Sequence, residues 1–344
     1  MKLTYATWGI QAASLEVRPL DQSAPPQNLY AGDLMSNDLA LDWADAEKDM
    51  ADGFDNTVSR SARVWDYWLG GKDNFAADRA AAHDVLGAMP AAQKIAVADR
   101  AFLASVVRHL AGDLGIRQFL DIGAGLPAAI NTHEAAQRVA PESRVVYVDN
   151  DPVVLAHARA RLISSPEGAT GYVDADARDT GKILIDAAQM LDFTQPVAVL
   201  LLAVLPFISD ADDPWAITAR VMDAVAPGSY LAVSHGASDI DAEAAAAAAG
   251  RYNQHSATAM RLRTSAELTR FFGGLELVAP GVVPVNYWQP GPPPGSRQEA
   301  ALPAYAALGR KASSGPGIAI RPQQAPPCAW HRTSSWSEVR ADLP

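Results

Sequence analysis

Three acidic residues follow short apolar runs at the points where the chain turns: Asp121 in Phe119-Leu120-Asp121-Ile122-Gly123-Ala124-Gly125, Asp149 in Val145-Val146-Tyr147-Val148-Asp149-Asn150, and Asp176 in Asp174-Ala175-Asp176-Ala177-Arg178. Gly123 and Gly125 permit a tight turn and let a ligand approach the backbone closely. On its own this G-x-G is an ordinary strand-to-helix turn. A dinucleotide fingerprint needs a third glycine, and here Pro127 and Ala128 follow instead. Asp121 beside the turn would repel a pyrophosphate and suits a ligand with positive charge. Asp149 comes twenty-four residues after Gly125, where an acidic residue can accept hydrogen bonds from both hydroxyls of a ribose. Asp176 could accept an adenine amino group while Ala177 leaves room for the ring; the plainer reading of Asp176 is a turn cap. The series fits a cationic nucleoside without phosphate, and S-adenosylmethionine, with its ammonium and sulfonium, is one.

Methyl transfer is an in-line displacement that needs alignment above all, and a base only where the acceptor must lose a proton. The candidate base is His235 in Ser234-His235-Gly236, at the end of an apolar run, since an unperturbed imidazole titrates near neutral pH. Its alternative is a strand-end histidine bonded to a loop. His133 is read as a helix or packing residue, and Tyr252 and His255 as possible lining for an acceptor. The seven histidines show no H-x-x-x-H spacing, so no metal site is expected.

The elements that must carry these residues alternate. Apolar runs RQFLDIG, RVVYVDN, TGYVDAD, VAVLLLAVL and SYLAVSH are separated by helical stretches at Ala128 to Val139, Pro152 to Leu162 and Trp215 to Val225. Runs apolar on both faces with helices between them predict a doubly wound parallel α/β sheet. Val58 to Leu110 reads as helical with breaks at Gly70-Gly71 and Pro90, and an alanine helix from Asp241 is predicted to stop at Gly250. Strand signals at Leu275 to Val285 and Tyr305 to Arg310 predict an antiparallel pair closing the sheet, with the proline-rich 291–303 as the loop between them. Residues 1–55 read as an N-terminal arm, partly disordered, 56–311 as the domain with a helical cap over 58–110, and 312–344 as a solvated tail.

Composition narrows the partners. Twenty-eight Lys and Arg against thirty-nine Asp and Glu give a net charge of −11, which argues against a broad nucleic-acid surface. The lone Cys328 excludes an intrachain disulfide and fits a reducing cytoplasm. The longest apolar run, Val197 to Leu205, has nine residues, where a membrane span needs about twenty.

The motifs RVWDYWLGGKDNFAADR, DRAFL, FLDIGAGLP, VVYVDNDPVVLAHARA, YVDADARD and APGSYLAVSH carry a resemblance. From about Ser61 to Lys311 the chain resembles the actinobacterial S-adenosyl methyltransferase family, a class I group largely without assigned substrates. The resemblance implies a seven-stranded Rossmann-like methyltransferase sheet with an N-terminal helical cap, using S-adenosyl-L-methionine and releasing S-adenosyl-L-homocysteine. Carried over, Asp121, Gly123, Ala124 and Gly125 would line the methionine part, Asp149 and Asn150 the ribose, and Asp176 with Ala177 the adenine. Ala203, after the fourth strand, joins this set; Tyr67, Gly71, Lys72 and Asn74 would form a lid, and Lys72 or Arg100 would neutralise the methionine carboxylate. Two departures stand out: Leu205-Pro206-Phe207 where the family usually has leucine, histidine, phenylalanine, and Asp99 where it tends to asparagine. The expected function is methylation of a small-molecule acceptor in secondary metabolism, by a cytoplasmic monomer or homodimer. Two alternatives stay open: a cyclase or lyase acting on the aminobutyl chain, and a non-catalytic binding module.

Overall fold

The computed structural model describes residues 56–291 and 299–312. The expected arm over 1–55, the tail from 313 onward with Cys328, and the triple proline of the late loop lie outside the described residues.

Five parallel strands form the centre: β1 (Gln118–Ile122), β2 (Arg144–Asp149), β3 (Ala169–Asp174), β4 (Ala198–Leu202) and β5 (Tyr230–Gly236). β6 (Glu276–Leu277), β7 (Val283–Pro284) and β8 (Ala304–Arg310) complete one mixed sheet in the order β3-β2-β1-β4-β5-β8-β6, with β7 also on β8. β8 runs antiparallel to β5, as the late strand signals predicted. β6 and β7 share one edge of β8: Leu277 faces Gly309 and Val283 faces Ala306, so six steps on one side match three on the other. The two short strands thus follow one another along the same edge of β8, and the eight strands fill the seven positions expected of the sheet. The strand order reverses between β1 and β4, and a doubly wound sheet opens its ligand crevice at such a reversal.

Strand alternation sorts the two faces. Phe119, Val145, Tyr147, Leu200, Tyr230 and Ala232 are buried against one helical layer, and Leu120, Val146, Val199, Leu231 and Val233 against the other. Asp121, Asp149 and Ser234 share the parity of the first set.

Helices α1 (Ser61–Trp68), α2 (Ala76–Ala88) and α3 (Ala92–Arg108) occupy the region predicted as a cap, broken at Gly70-Gly71 and around Pro90. After β1 the next helix, α4, spans only Thr132–Gln137, not Ala128 to Val139. Pro127 and the Asn131 turn delay it: Asn131 N–H donates to Glu134 Oε2 at 2.9 Å, a reciprocal cap that starts the helix four residues later than the apolar pattern suggested. α5 (Pro152–Arg161), α6 (Thr180–Ala187) and α7 (Pro214–Ala224) follow β2, β3 and β4.

The alanine helix α8 (Ala242–His255) runs through Gly250, contrary to the predicted stop there. Tyr252, 1% exposed, packs with Ala81, Ala82 and Val85 of α2, and this burial outweighs the roughly 1 kcal/mol that an interior glycine costs. Alanines 81, 82, 245 and 248 let the two helices approach closely. No helix among the described residues is long and apolar enough to cross a membrane.

Candidate functional site

The chain leaves β1 through Gly123 at φ 78° and Gly125 at φ 67°, both in the left-handed region that favours glycine. A Cβ on Gly123 would overlap Val204, just after β4, so this glycine lets two strand ends meet. A Cβ on Gly125 would meet nothing within 4 Å, so that backbone faces open space. Gly123 and Ala124 N–H donate to Val148 O at 2.8 and 3.1 Å, and Gly125 N–H donates to Asp149 Oδ2 at 2.9 Å. Asp149 Oδ1 accepts the Asp151 N–H at 2.9 Å. Two backbone donors therefore aim the Asp149 carboxylate, and each oxygen keeps a lone pair for a further donor.

Asp121, 4% exposed, accepts from Thr132 Oγ1 at 2.6 Å. Asp99 projects from α3 with 7% exposure. Burial pushes the carboxyls of Asp99, Asp121 and Asp149 up to about 6. Asp99 raises Asp121 further by like charge, while Arg100 opposes the rise at both. Arg100 itself donates to Leu126 O at 3.1 Å. Arg100, Asp121, Ala124, Gly125, Thr132, Tyr147 and Asp149 line a crevice together with the apolar Val154 and Leu155.

At the end of β3, Asp176 accepts from Asn150 Nδ2 at 3.1 Å and from Arg178 Nε and Nη2 at 2.8 and 2.6 Å. The Arg178 guanidinium holds this carboxyl below its usual range. Arg178 also reaches Asp212 at 3.7 Å, bridging the loops after β3 and β4. Ala177 packs on the nearby core, and Ala203 takes φ 54° while its N–H donates to Ser234 Oγ at 3.0 Å.

The predicted lid residues are spent on the cap itself. Tyr67 OH is 2.9 Å from His83 Nε2. Asp66, 8% exposed, accepts from Asp73 N–H at 2.9 Å and Asn74 Nδ2 at 2.7 Å, and a Cβ on Gly71 would overlap its carboxylate. Lys72 is exposed on the same turn. None of Tyr67, Gly71, Lys72 and Asn74 lines the described crevice. The cap is pinned elsewhere: fully buried Arg63 lies between Asp78 at 3.6 Å and Asp151 at 3.5 Å, and Asp73 accepts from Arg161 at 2.7 Å.

His235, the candidate base, stands in a packing environment. It lies on the opposite sheet face, 2% exposed, against Phe271. Nδ1 pairs with Gly236 O at 2.8 Å and Nε2 with Arg263 Nη1 at 2.9 Å, so neither nitrogen is available to an acceptor. Burial, reinforced by Arg263, lowers its titration to about 3. Buried Arg263 also donates to Leu205 O, Ile208 O and Asp210, fixing the segment that carries Pro206. His133, in contrast, takes the packing place expected of it, with N–H and Nδ1 both 2.8 Å from Tyr147 OH.

The residues present fit S-adenosylmethionine. Buried carboxylates flank the glycine turn, a guanidinium stands beside them, and open space lies over Gly125. Sequence reasoning missed Thr132, Tyr147 and Ser234, and singled out Asp99 only as an oddity.

The chain matches the model of the S-adenosyl methyltransferase family over residues 47–312. It is similar to the crystal structure of a DUF574 family protein from Streptomyces avermitilis, with 44% identity, a TM-score of 0.70, and coverage of 75% of this chain and 99% of that one. A crystal structure from Thermobifida fusca is 40% identical with a TM-score of 0.69, covering 75% of this chain and 97% of that one. Comparison with curated proteins gives no match.

Proposed function

The chain belongs to the S-adenosyl methyltransferase family, and from that premise we propose that it methylates a small-molecule acceptor, with residues 56–311 as the catalytic domain. When bound, S-adenosylmethionine supplies an electrophilic methyl group on a sulfonium. The carrying observation is the crevice itself, in which Asp121 and Asp149 flank the glycine turn beside Arg100. Asp149 is oriented for the ribose hydroxyls by its two backbone donors, and Asn150 stands beside it. Asp121 suits the ammonium and Arg100 the carboxylate of the amino-acid end, with the backbones of Gly123, Ala124 and Ala203 alongside. Asp176 and Ala177 suit the adenine once Arg178 yields its hold.

The cap supports a small acceptor. Arg63 ties α1 to Asp151 at the start of α5 through a buried contact, and the loop after α1 is tied to α5 on the surface through Asp73 and Arg161, so a bulky polymer would have to displace both ties. With His235 engaged, alignment carries the rate and no dedicated base is assigned. The test incubates the full chain with the cofactor and a panel of small hydroxyl, amine and thiol acceptors. S-adenosylhomocysteine appearing only with acceptor supports the reading. Methylthioadenosine released at catalytic rates without any acceptor contradicts it.

A further inference from the structure

We propose that Arg63 is a positioning residue for the nucleoside site: through Asp151 it sets the Asp149 carboxylate, so that seating of the cap and binding of the cofactor's ribose are coupled. This rests on Asp149 taking the ribose.

Asp151 makes three contacts at once. Its backbone N–H donates to Asp149 Oδ1 at 2.9 Å, its Oδ1 accepts the Val153 N–H at 3.0 Å as the N-cap of α5, and its Oδ2 lies 3.5 Å from Arg63 Nε. The first aims the ribose carboxylate, whose other oxygen accepts the Gly125 N–H at 2.9 Å. The second keeps residue 151 in its extended N-cap conformation, at φ −89° and ψ 115°, on which the direction of that N–H depends. The third pairs two buried charges, and a buried carboxylate that loses its partner is costly. Without the guanidinium, the Asp151 carboxylate must turn toward water or take up a proton. Turning breaks the N-cap and swings the donor away from Asp149.

Arg63 belongs to the cap as much as to the site. Its Nη1 lies 3.6 Å from Asp78 Oδ2, and the Asp78 carboxylate accepts the N–H groups of Arg60 and Phe75, the N-cap residues of α1 and α2, each at 2.9 Å. The guanidinium carbon stands 5.3 Å from the centre of the Phe75 ring. One buried cation thus joins the starts of two cap helices to the start of α5, and α5 supplies Val154, Leu155 and Ala158 to the crevice. A lysine, with a single compact charge, does not span two carboxylates as the planar guanidinium does. A ligand that needs Asp149 aimed therefore binds the seated cap better, and by linkage it seats the cap in turn.

The test applies two readouts to the full chain: calorimetric affinity for S-adenosylmethionine, and amide hydrogen exchange over α1 and α2. Saturating ligand should slow exchange in α1 and the first turn of α2 by about fivefold or more beyond any slowing in α7, which packs on the other face of the sheet. In Arg63→Lys the affinity should fall by about fivefold or more and this extra protection should vanish, while the Gly123–Gly125 turn is still protected by ligand. Asp151→Asn keeps an acceptor for the Val153 N–H and leaves Arg63 with Asp78; it should act in the same direction, and it carries the comparison should Arg63→Lys not fold. Asp149→Asn should cost less affinity in either background than in the native chain. A purely structural Arg63 would loosen the cap in these variants with affinity unchanged, and that result, strictly additive losses, or a native cap indifferent to ligand would each overturn the proposal. Native-like binding by Asp149→Asn alone would instead overturn the ribose reading, and the coupling with it.

Discussion

Asp149 Oδ2 accepts the Gly125 N–H at 2.9 Å, so the carboxylate placed for the ribose also holds the glycine turn of the neighbouring strand. Ligand site and loop geometry are one unit. Asp149→Ala should therefore weaken S-adenosylmethionine binding by about 1–3 kcal/mol, losing both a charged acceptor and the loop's anchor. Asp149→Asn, which keeps one acceptor oxygen, should recover part of it. Calorimetry on both variants checks this, and unchanged affinity in the alanine variant would put the ribose elsewhere.

Binding should be coupled to protons. Asp99, Asp121 and Asp149 titrate at about 6, above their ordinary 3.8, chiefly because burial disfavours the charge. In the free protein these groups stabilise the fold most below about 3.8, and that contribution is lost as pH rises toward 6. A cationic ligand favours the ionised carboxylates, so affinity should fall as pH drops through 6, with proton release on binding near that pH. Titrations in two buffers of different ionisation enthalpy would detect the released protons. A binding enthalpy independent of buffer at that pH would contradict the linkage.

His235→Gln should leave the pH dependence of turnover unchanged in shape, since the imidazole transfers no proton. It should lower stability by about 1–3 kcal/mol, because buried Arg263 loses the acceptor now 2.9 Å away. Loss of the acidic limb of the pH–rate profile in this variant would restore His235 as the base.

Arg63→Met should destabilise the fold by about 3 kcal/mol or more, leaving Asp78 and Asp151 buried without their shared cation. Denaturant unfolding measures it. A change below about 0.5 kcal/mol would mean the cap is held by apolar packing alone.

The sheet is legible because β1, β2, β4 and β5 are apolar on both faces, and Asp121 and Asp149 are legible because they close two of those runs, Asp121 next to the glycine turn and Asp149 twenty-four residues after Gly125. What the sequence hides has local causes. His235 ends a strand, but period-two alternation sets it with Leu231 and Val233, on the face opposite Ser234. The Asn131–Glu134 spacing carried the true start of α4, but the alanines before it mimic helix. Gly250 is a helix stop in isolation, and only the packing of Tyr252 against α2 explains why the chain passes through it. The lid residues come from the resemblance alone, and nothing in their spacing shows that Asp66 accepts from both the Asp73 N–H and Asn74. Asp99 had a signal of its own: a carboxylate on an apolar helical stripe.

The most direct test of the central claim is a crystal structure of the full chain with S-adenosylhomocysteine. The ribose hydroxyls should lie within hydrogen-bond distance of Asp149, with the amino-acid end between Asp121 and Arg100 and the sulfur beside the Gly123–Gly125 turn. A nucleoside bound away from Asp149, or an amino-acid end remote from Asp121, would contradict it.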